Sequence, residues 1–286
     1  MKRNTLISTF FVICCLTSNA ANSADELPTV IALFGDSTTV GYVPPRYSGD
    51  PEAFEDRIAG GTTTRGTPTI HLSEILNEGE PVRPAIVTNW GYGGTSSGEG
   101  DPEFPYVPGN GLSRIDSSLA NAKATHAGRE YFVLIIYGTN DFGVGISSAT
   151  TGFNIEQMIV KARNHGFEPI IGTTVPRSDR STAAISTLNG AIASAANSRS
   201  AFLVDQHSVF GASPATYEPL MEQETHTSTG NEIYLHPKRE GYRRMAQKWL
   251  DERLSSVVAT DRNIIVAPAA ALAILFDDDE EVVPEP

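Results

Sequence analysis

Five short apolar runs punctuate the chain. Thr29 to Phe34 (TVIALF) is closed by Gly35, and Pro84 to Trp90 (PAIVTNW), Tyr131 to Tyr137 (YFVLIIY), Pro169 to Val175 (PIIGTTV) and Ala201 to Val204 (AFLV) follow. Each is rich in β-branched residues and apolar at consecutive rather than alternate positions. That is the pattern of strands buried on both faces, as in a parallel sheet. Between them lie stretches with helical spacing: Ile70 to Asn77, Ser113 to Ala124, Asn154 to Asn164, Ala183 to Ser198 and Glu240 to Leu254. In the third, Ile155, Met158, Ile159 and Ala162 share a face, and Gly166 stands just past the end as a C-terminal stop. Strand and helix alternate over residues 27–258, which predicts a three-layer α/β/α sandwich with a mostly parallel five-stranded sheet. Two long segments interrupt the alternation, Tyr42 to Thr67 after the first strand and Gly98 to Gly111 after the second. Ligands of open α/β sheets bind at the carboxyl ends of strands, so both are expected to shape a site there.

The two ends read differently from the middle. Lys2 and Arg3 precede an apolar stretch from Leu6 to Leu16, and Ser18 and Ala20 stand where a leader is cut. Residues 1–20 are therefore expected to be a secretory signal peptide, with cleavage as late as 24, and the protein to be exported to the periplasm or beyond. Both cysteines, Cys14 and Cys15, fall in this leader, so the mature chain is expected to carry no disulfide, thiol nucleophile or cysteine–metal site. Residues 259–286 form a separate zone, an apolar segment from Ile264 to Phe276 followed by an acidic tail. No apolar run reaches the roughly 18 residues that a spanning helix needs, so stable membrane insertion is not expected.

Charge narrows the function. The 286 residues include 34 acidic and 21 basic ones, a formal net charge of −13. Such a surface repels phosphate backbones, and nucleic acid is not an expected partner. The other histidines show no H-x-x-x-H or H-E-x-x-H pairing and no phosphate-binding glycine loop follows a strand, so no metal or cofactor is expected. Oligomeric state is not legible.

Four blocks bear chemistry. Gly35-Asp36-Ser37-Thr38 follows the first strand and places a serine on a tight turn at the strand's carboxyl end, well set for nucleophilic attack. Asn89-Trp90-Gly91-Tyr92-Gly93-Gly94 follows the second strand, where glycines let the backbone come close to a ligand. Gly138-Thr139-Asn140-Asp141 follows the third, and an asparagine amide there can donate to a developing oxyanion. His236-Pro237 precedes the last helix, with the proline expected to fix the helix entry and hold the imidazole at the mouth of the sheet as a general base.

In order and spacing, these four blocks resemble the GDSL/SGNH hydrolase family, from about Thr29 to Leu254. The resemblance implies a flavodoxin-like SGNH fold and a serine esterase mechanism. It implies Ser37 as nucleophile, His236 as base, and the Ser37 N–H, Gly94 N–H and Asn140 amide as oxyanion hole. One position departs: the family usually has Asp three residues before the histidine, and here Ile233 stands there. Glu232, one residue further back, is taken as the acid that orients His236. A backbone carbonyl giving a Ser–His dyad, or a carboxylate reaching in from Asp205 or Glu224, are the alternatives.

The expected function is hydrolysis of short acyl esters through an acyl-serine, on a small-molecule or glycan ester substrate, leaning to O-acetylated carbohydrate. The same resemblance covers lipases, arylesterases and thioesterases, and an inactive extracellular binding module on the same fold is the non-enzyme reading. A rival nucleophile exists in Gly94-Thr95-Ser96-Ser97-Gly98, which matches G-x-S-x-G. Loop chemistry (Glu99-Gly100-Asp101-Pro102) follows it where a nucleophile elbow needs a helix, so Ser96 is expected only to line the site.

Overall fold

The computed structural model describes residues 27–41, 67–78, 85–98, 110–225 and 230–255. The expected leader, the segment 259–286 and most of the two long loops lie outside the described residues.

The five apolar runs form the strands β1 (Thr29–Gly35), β2 (Ala85–Asn89), β3 (Glu130–Ile136), β4 (Glu168–Gly172) and β5 (Phe202–Val204). All neighbours are parallel, in the order β2-β1-β3-β4-β5. Consecutive side chains of a strand point to opposite faces, and both faces here are covered. Ile31 and Leu33 pack with Leu72, Met245 and Trp249, beneath α2 (Thr67–Asn77) and the last helix. Ala32 and Phe34 pack with Ile115, Ile155 and Ile192, beneath α3 (Gly111–Thr125), α4 (Ser148–Asn164) and α5 (Thr182–Ser198). The result is the three-layer sandwich that uninterrupted apolar strands require.

Helix ends follow local chemistry. Ser147 and Ser181 cap α4 and α5 by accepting from the N–H three residues on. Gly166 ends α4 at φ +77°, with Gly166 N–H bonded to Arg163 O and Phe167 N–H to Ala162 O. That pair of bonds satisfies two orphan carbonyls and needs a left-handed residue, which glycine supplies at least cost.

Three elements differ from the sequence expectation. Ser37–Val40 forms a one-turn helix, α1, directly after β1. After the short helix α6 (Pro214–Tyr217), β6 (Met221–Thr225) and β7 (Glu232–Pro237) make an antiparallel hairpin. Pro237 thus closes a strand rather than opening a helix, and α7 runs from Arg239 to Trp249 before a π-helical turn, Leu250–Leu254. The hairpin is not legible in the sequence, because Met221–Thr225 holds one apolar residue and Ile233, Tyr234 and Leu235 are apolar in a row, so neither strand alternates.

Order 2-1-3-4-5 puts the topological switch point between β1 and β3, because the chain leaves β1 toward one sheet edge and later returns to build toward the other. The turns after these two strands face the crevice where ligands of such sheets bind. At the end of β1 the packing is tight. A Cβ on Gly35 would lie 2.0 Å from Thr39 Oγ1 and 2.4 Å from Ile136 O. Gly35→Ala is therefore expected to destabilise the fold by about 1–3 kcal/mol or more, as overpacking does, read by chemical denaturation.

Candidate active site

Ser37 is the first residue of α1, and Asp36 is its N-cap. The Asp36 carboxylate accepts from Thr38 N–H at 2.9 Å, while Gly41 closes the turn at φ 84°. This fixes Ser37 at the carboxyl end of β1, 8% exposed. Its Oγ lies 2.7 Å from His236 Nε2. The two residues are 199 positions apart in sequence and meet because β7 runs past the end of β1.

His236 Nδ1 lies 2.6 Å from Glu224 Oε1, and His236 backbone N–H donates to the same oxygen at 3.1 Å. The assignment of Glu232 as the orienting acid is therefore corrected. Glu232 is exposed and its Oε1 accepts from Thr225 Oγ1 at 2.7 Å, on the outer end of the hairpin. Glu224 and Ile233 pair across the ladder on one face, and the side chain of Glu232, paired with Thr225, leaves the other. Asp205 is not at the histidine either: it accepts from Thr173 Oγ1 at 2.9 Å, beyond β5. Sequence reasoning named Glu224 only among the alternatives. No local signal marks it: six residues, 226–231, separate the two strands, and Glu224 comes beside Ile233 only through their pairing.

The loops after β2 and β3 are bolted together. Asn140 Nδ2 donates to Thr95 O at 2.9 Å, which uses one amide hydrogen and leaves the second. Gly94, the residue before Thr95, has φ +80° and open space around its α-carbon. Next along, the buried Asp141 carboxylate accepts from Ser97 N–H (2.8 Å), Ser97 Oγ (2.6 Å) and Thr151 Oγ1 (2.5 Å). Asn89 braces the other side. Its amide donates to Thr39 O at 2.8 Å and to Thr69 Oγ1 at 2.9 Å, while Gly91 N–H bonds its oxygen. The glycine and asparagine of the second and third blocks thus sit on a rigid double loop next to α1.

Two residues that sequence reasoning missed tie this loop to the hairpin. Arg177 Nη1 donates to Thr139 O, beside Asn140, and its other nitrogens grip both Asp179 oxygens at 2.7 and 2.8 Å. Ser178 exchanges two hydrogen bonds with Tyr234 of β7, at 3.0 and 2.8 Å. Nothing in the local sequence marks these long-range bonds. Ser96 is fully buried, its N–H bonds Asn110 Oδ1 at 3.2 Å, and its Oγ has no partner among the described residues. Fully buried, and with no base beside it among the described residues, Ser96 is part of the loop's interior.

A buried carboxyl adjoins Ser37. Asp36 is fully buried, and desolvation pushes its carboxyl well above the usual range. The Thr38 N–H and the charge of His236 pull it partly back, and Asp141 pushes it up again. Behind it, Arg114 is buried with Nη2 on Trp90 O at 3.0 Å and its guanidinium 4.9 Å from the Tyr92 ring.

A parallel sheet of order 2-1-3-4-5 with a serine, a histidine and a carboxylate in line at its carboxyl edge defines a hydrolase of the SGNH type. The family model of the GDSL-like lipase/acylhydrolase family matches residues 33–244, and the chain belongs to that family. Solved structures with the same fold include a lipase/acylhydrolase from Enterococcus faecalis. It is 19% identical, with 80% of this chain and 96% of that chain covered and a TM-score of 0.55. A carbohydrate acetylesterase family member from Sinorhizobium meliloti is 17% identical (82% and 100% covered, TM-score 0.54). An acetyl xylan esterase from Geobacillus stearothermophilus is 14% identical (79% and 96% covered, TM-score 0.52). No curated protein sequence matches the chain. No helix among the described residues is long and apolar enough to cross a membrane.

Proposed function

We propose that the protein is an exported serine carboxylester hydrolase that works through an acyl-serine on short acyl esters, with O-acetylated carbohydrate as the substrate class. The observation that carries the mechanism is the 2.7 Å contact between Ser37 Oγ and His236 Nε2 at the switch point. That is hydrogen-bond reach for general-base activation of a hydroxyl.

In this reading Ser37 Oγ attacks the ester carbonyl as its proton passes to His236 Nε2. The oxyanion is bound by the N–H groups of Ser37 and Gly94 and the second amide hydrogen of Asn140. Collapse of the tetrahedral intermediate breaks the C–O bond, and His236 returns its proton to the leaving alcohol. Water, deprotonated by the same imidazole, then hydrolyses the acyl-serine. Each donor in such a hole is worth about 10²–10³ in turnover. No step draws on a cofactor.

Support for the substrate class is chemical and by analogy. The two long segments that follow the first and second strands in sequence are rich in Gly, Thr and Tyr, which suits a polar alcohol moiety. Two of the fold relatives are a carbohydrate acetylesterase family member and an acetyl xylan esterase. The expected result is a kcat/KM on p-nitrophenyl esters that falls from acetyl to longer acyl chains, with acetate released from O-acetylated xylan. A kcat/KM that rises with chain length would put lipid or aryl esters in its place.

A further inference from the structure

We propose that Glu224 is the positioning acid of the site, supplied by the partner strand of the hairpin to do what a residue three positions before His236 does not do here. The proposal rests on the Ser37–His236 hydrolase reading. Ile233 occupies that earlier position and its side chain has no charge. Across the ladder, the residue paired with Ile233 is Glu224. Directly opposed residues of an antiparallel pair have their Cβ atoms about 5 Å apart on one face. A carboxylate on β6 therefore reaches the space that an acid on β7 would fill.

Geometry and burial agree. The side chains of His236 and Glu224 are 7% and 13% exposed, and their contact is 2.6 Å. A single oxygen, Oε1, takes both the ring nitrogen and the backbone N–H of His236. Holding both at once locks the ring relative to its own backbone. With the carboxylate at Nδ1, the proton sits on Nδ1 and the Nε2 lone pair faces Ser37 Oγ. The strands slip register by one residue between Met221 and Gln223, next to Pro237. Such an irregularity bends a strand and re-aims its side chains, here at the position of His236. Lys238 N–H bonds Leu220 O at 2.8 Å and closes the inner end of the hairpin. The acid, the base and the register that joins them belong to one supersecondary unit.

Glu224→Gln keeps the shape and removes the charge. It is expected to lower kcat on p-nitrophenyl acetate by about 10³–10⁴-fold, with KM changed little, because the lost interaction grows with imidazolium in the transition state. Glu232→Gln, on the exposed end, is expected to stay within about twofold of wild type. A second readout needs no turnover. In wild-type protein with ¹⁵N-labelled histidine, His236 is expected as the Nδ1–H tautomer with a far-downfield hydrogen-bonded proton, absent in Glu224→Gln. An Nε2–H tautomer in wild type overturns the proposal even if the variant fails to fold. Equal activity of Glu224→Gln and wild type, with the downfield proton unchanged, overturns it too. If wild type turns over no ester while the downfield proton depends on Glu224, the hydrolase reading fails and the positioning role of Glu224 stands.

Discussion

Ser37→Ala is expected to abolish ester hydrolysis, with a loss on the order of 10⁶-fold in kcat, as when the nucleophile of a coupled serine–histidine unit is removed. That corresponds to about 8 kcal/mol of lost transition-state stabilisation. The fold is expected to survive the change. Ser37 contributes one hydroxyl, which meets His236, and the α1 turn is held by Asp36 and by the Gly41 N–H on Ser37 O rather than by the hydroxyl. Thermal stability within about 1 kcal/mol of wild type is therefore expected alongside the activity loss. Ser96→Ala is the matched control, because Ser96 is fully buried on Asn110's side of the loop and has no contact with the histidine. Kinetics on p-nitrophenyl acetate and a thermal melt of both variants check the pair.

The second large effect is on stability and depends on pH. Burial raises the Asp36 carboxyl from 3.8 to about 6, despite the Thr38 N–H and the charge of His236. Two units correspond to roughly 3 kcal/mol. The folded chain holds this proton more tightly than the unfolded chain. Between pH 4 and 6 it therefore binds more protons, and stability falls as pH rises. The contribution is fully present below about pH 4 and lost above about pH 6. Asp36→Asn keeps an N-cap acceptor for Thr38 N–H but cannot ionise. Relative to wild type, the variant is expected to gain up to about 3 kcal/mol on going from pH 4 to pH 8, as measured by denaturant titration at both values. A flat difference would mean that Asp36 is not buried as a charge. Turnover should fall in the same variant. The carboxylate sits one residue from Ser37 and its charge interacts favourably with His236, so its loss withdraws support from the imidazolium. A buried charge that costs stability and serves the site is a trade between the two.

How legible this was in the sequence depends on the range of the interactions. Strands such as β3 are written in consecutive apolar residues, because both faces of the sheet are covered, and their limits move by one to three residues. Ser37, Gly94 and Asn140 each stand in a short block with its own turn chemistry after an apolar strand, so their element ends could be placed, whereas the Pro237 beside His236 closes a strand rather than opening a helix. Glu224 was hard to choose because its role is set by strand pairing. A contact between residues 224 and 236 needs the hairpin and its register, and neither is encoded near the histidine. Glu232 lies closer in sequence, but the register irregularity between Tyr234 and Pro237 breaks the strand alternation, and its carboxylate goes to Thr225 instead. Asp141 and Arg177 were missed for a similar reason. Their partners, Ser97 and Thr139, lie 44 and 38 residues away, and a lone polar residue in a loop carries no periodicity to reveal them.

Covalent labelling tests the central claim most directly. The purified protein is treated with a fluorophosphonate that phosphonylates activated serines, and the adduct is located by peptide mass spectrometry. The account expects one adduct per chain on Ser37, unchanged in Ser96→Ala and absent in Ser37→Ala. Labelling of another serine, or labelling that persists in Ser37→Ala, would contradict it.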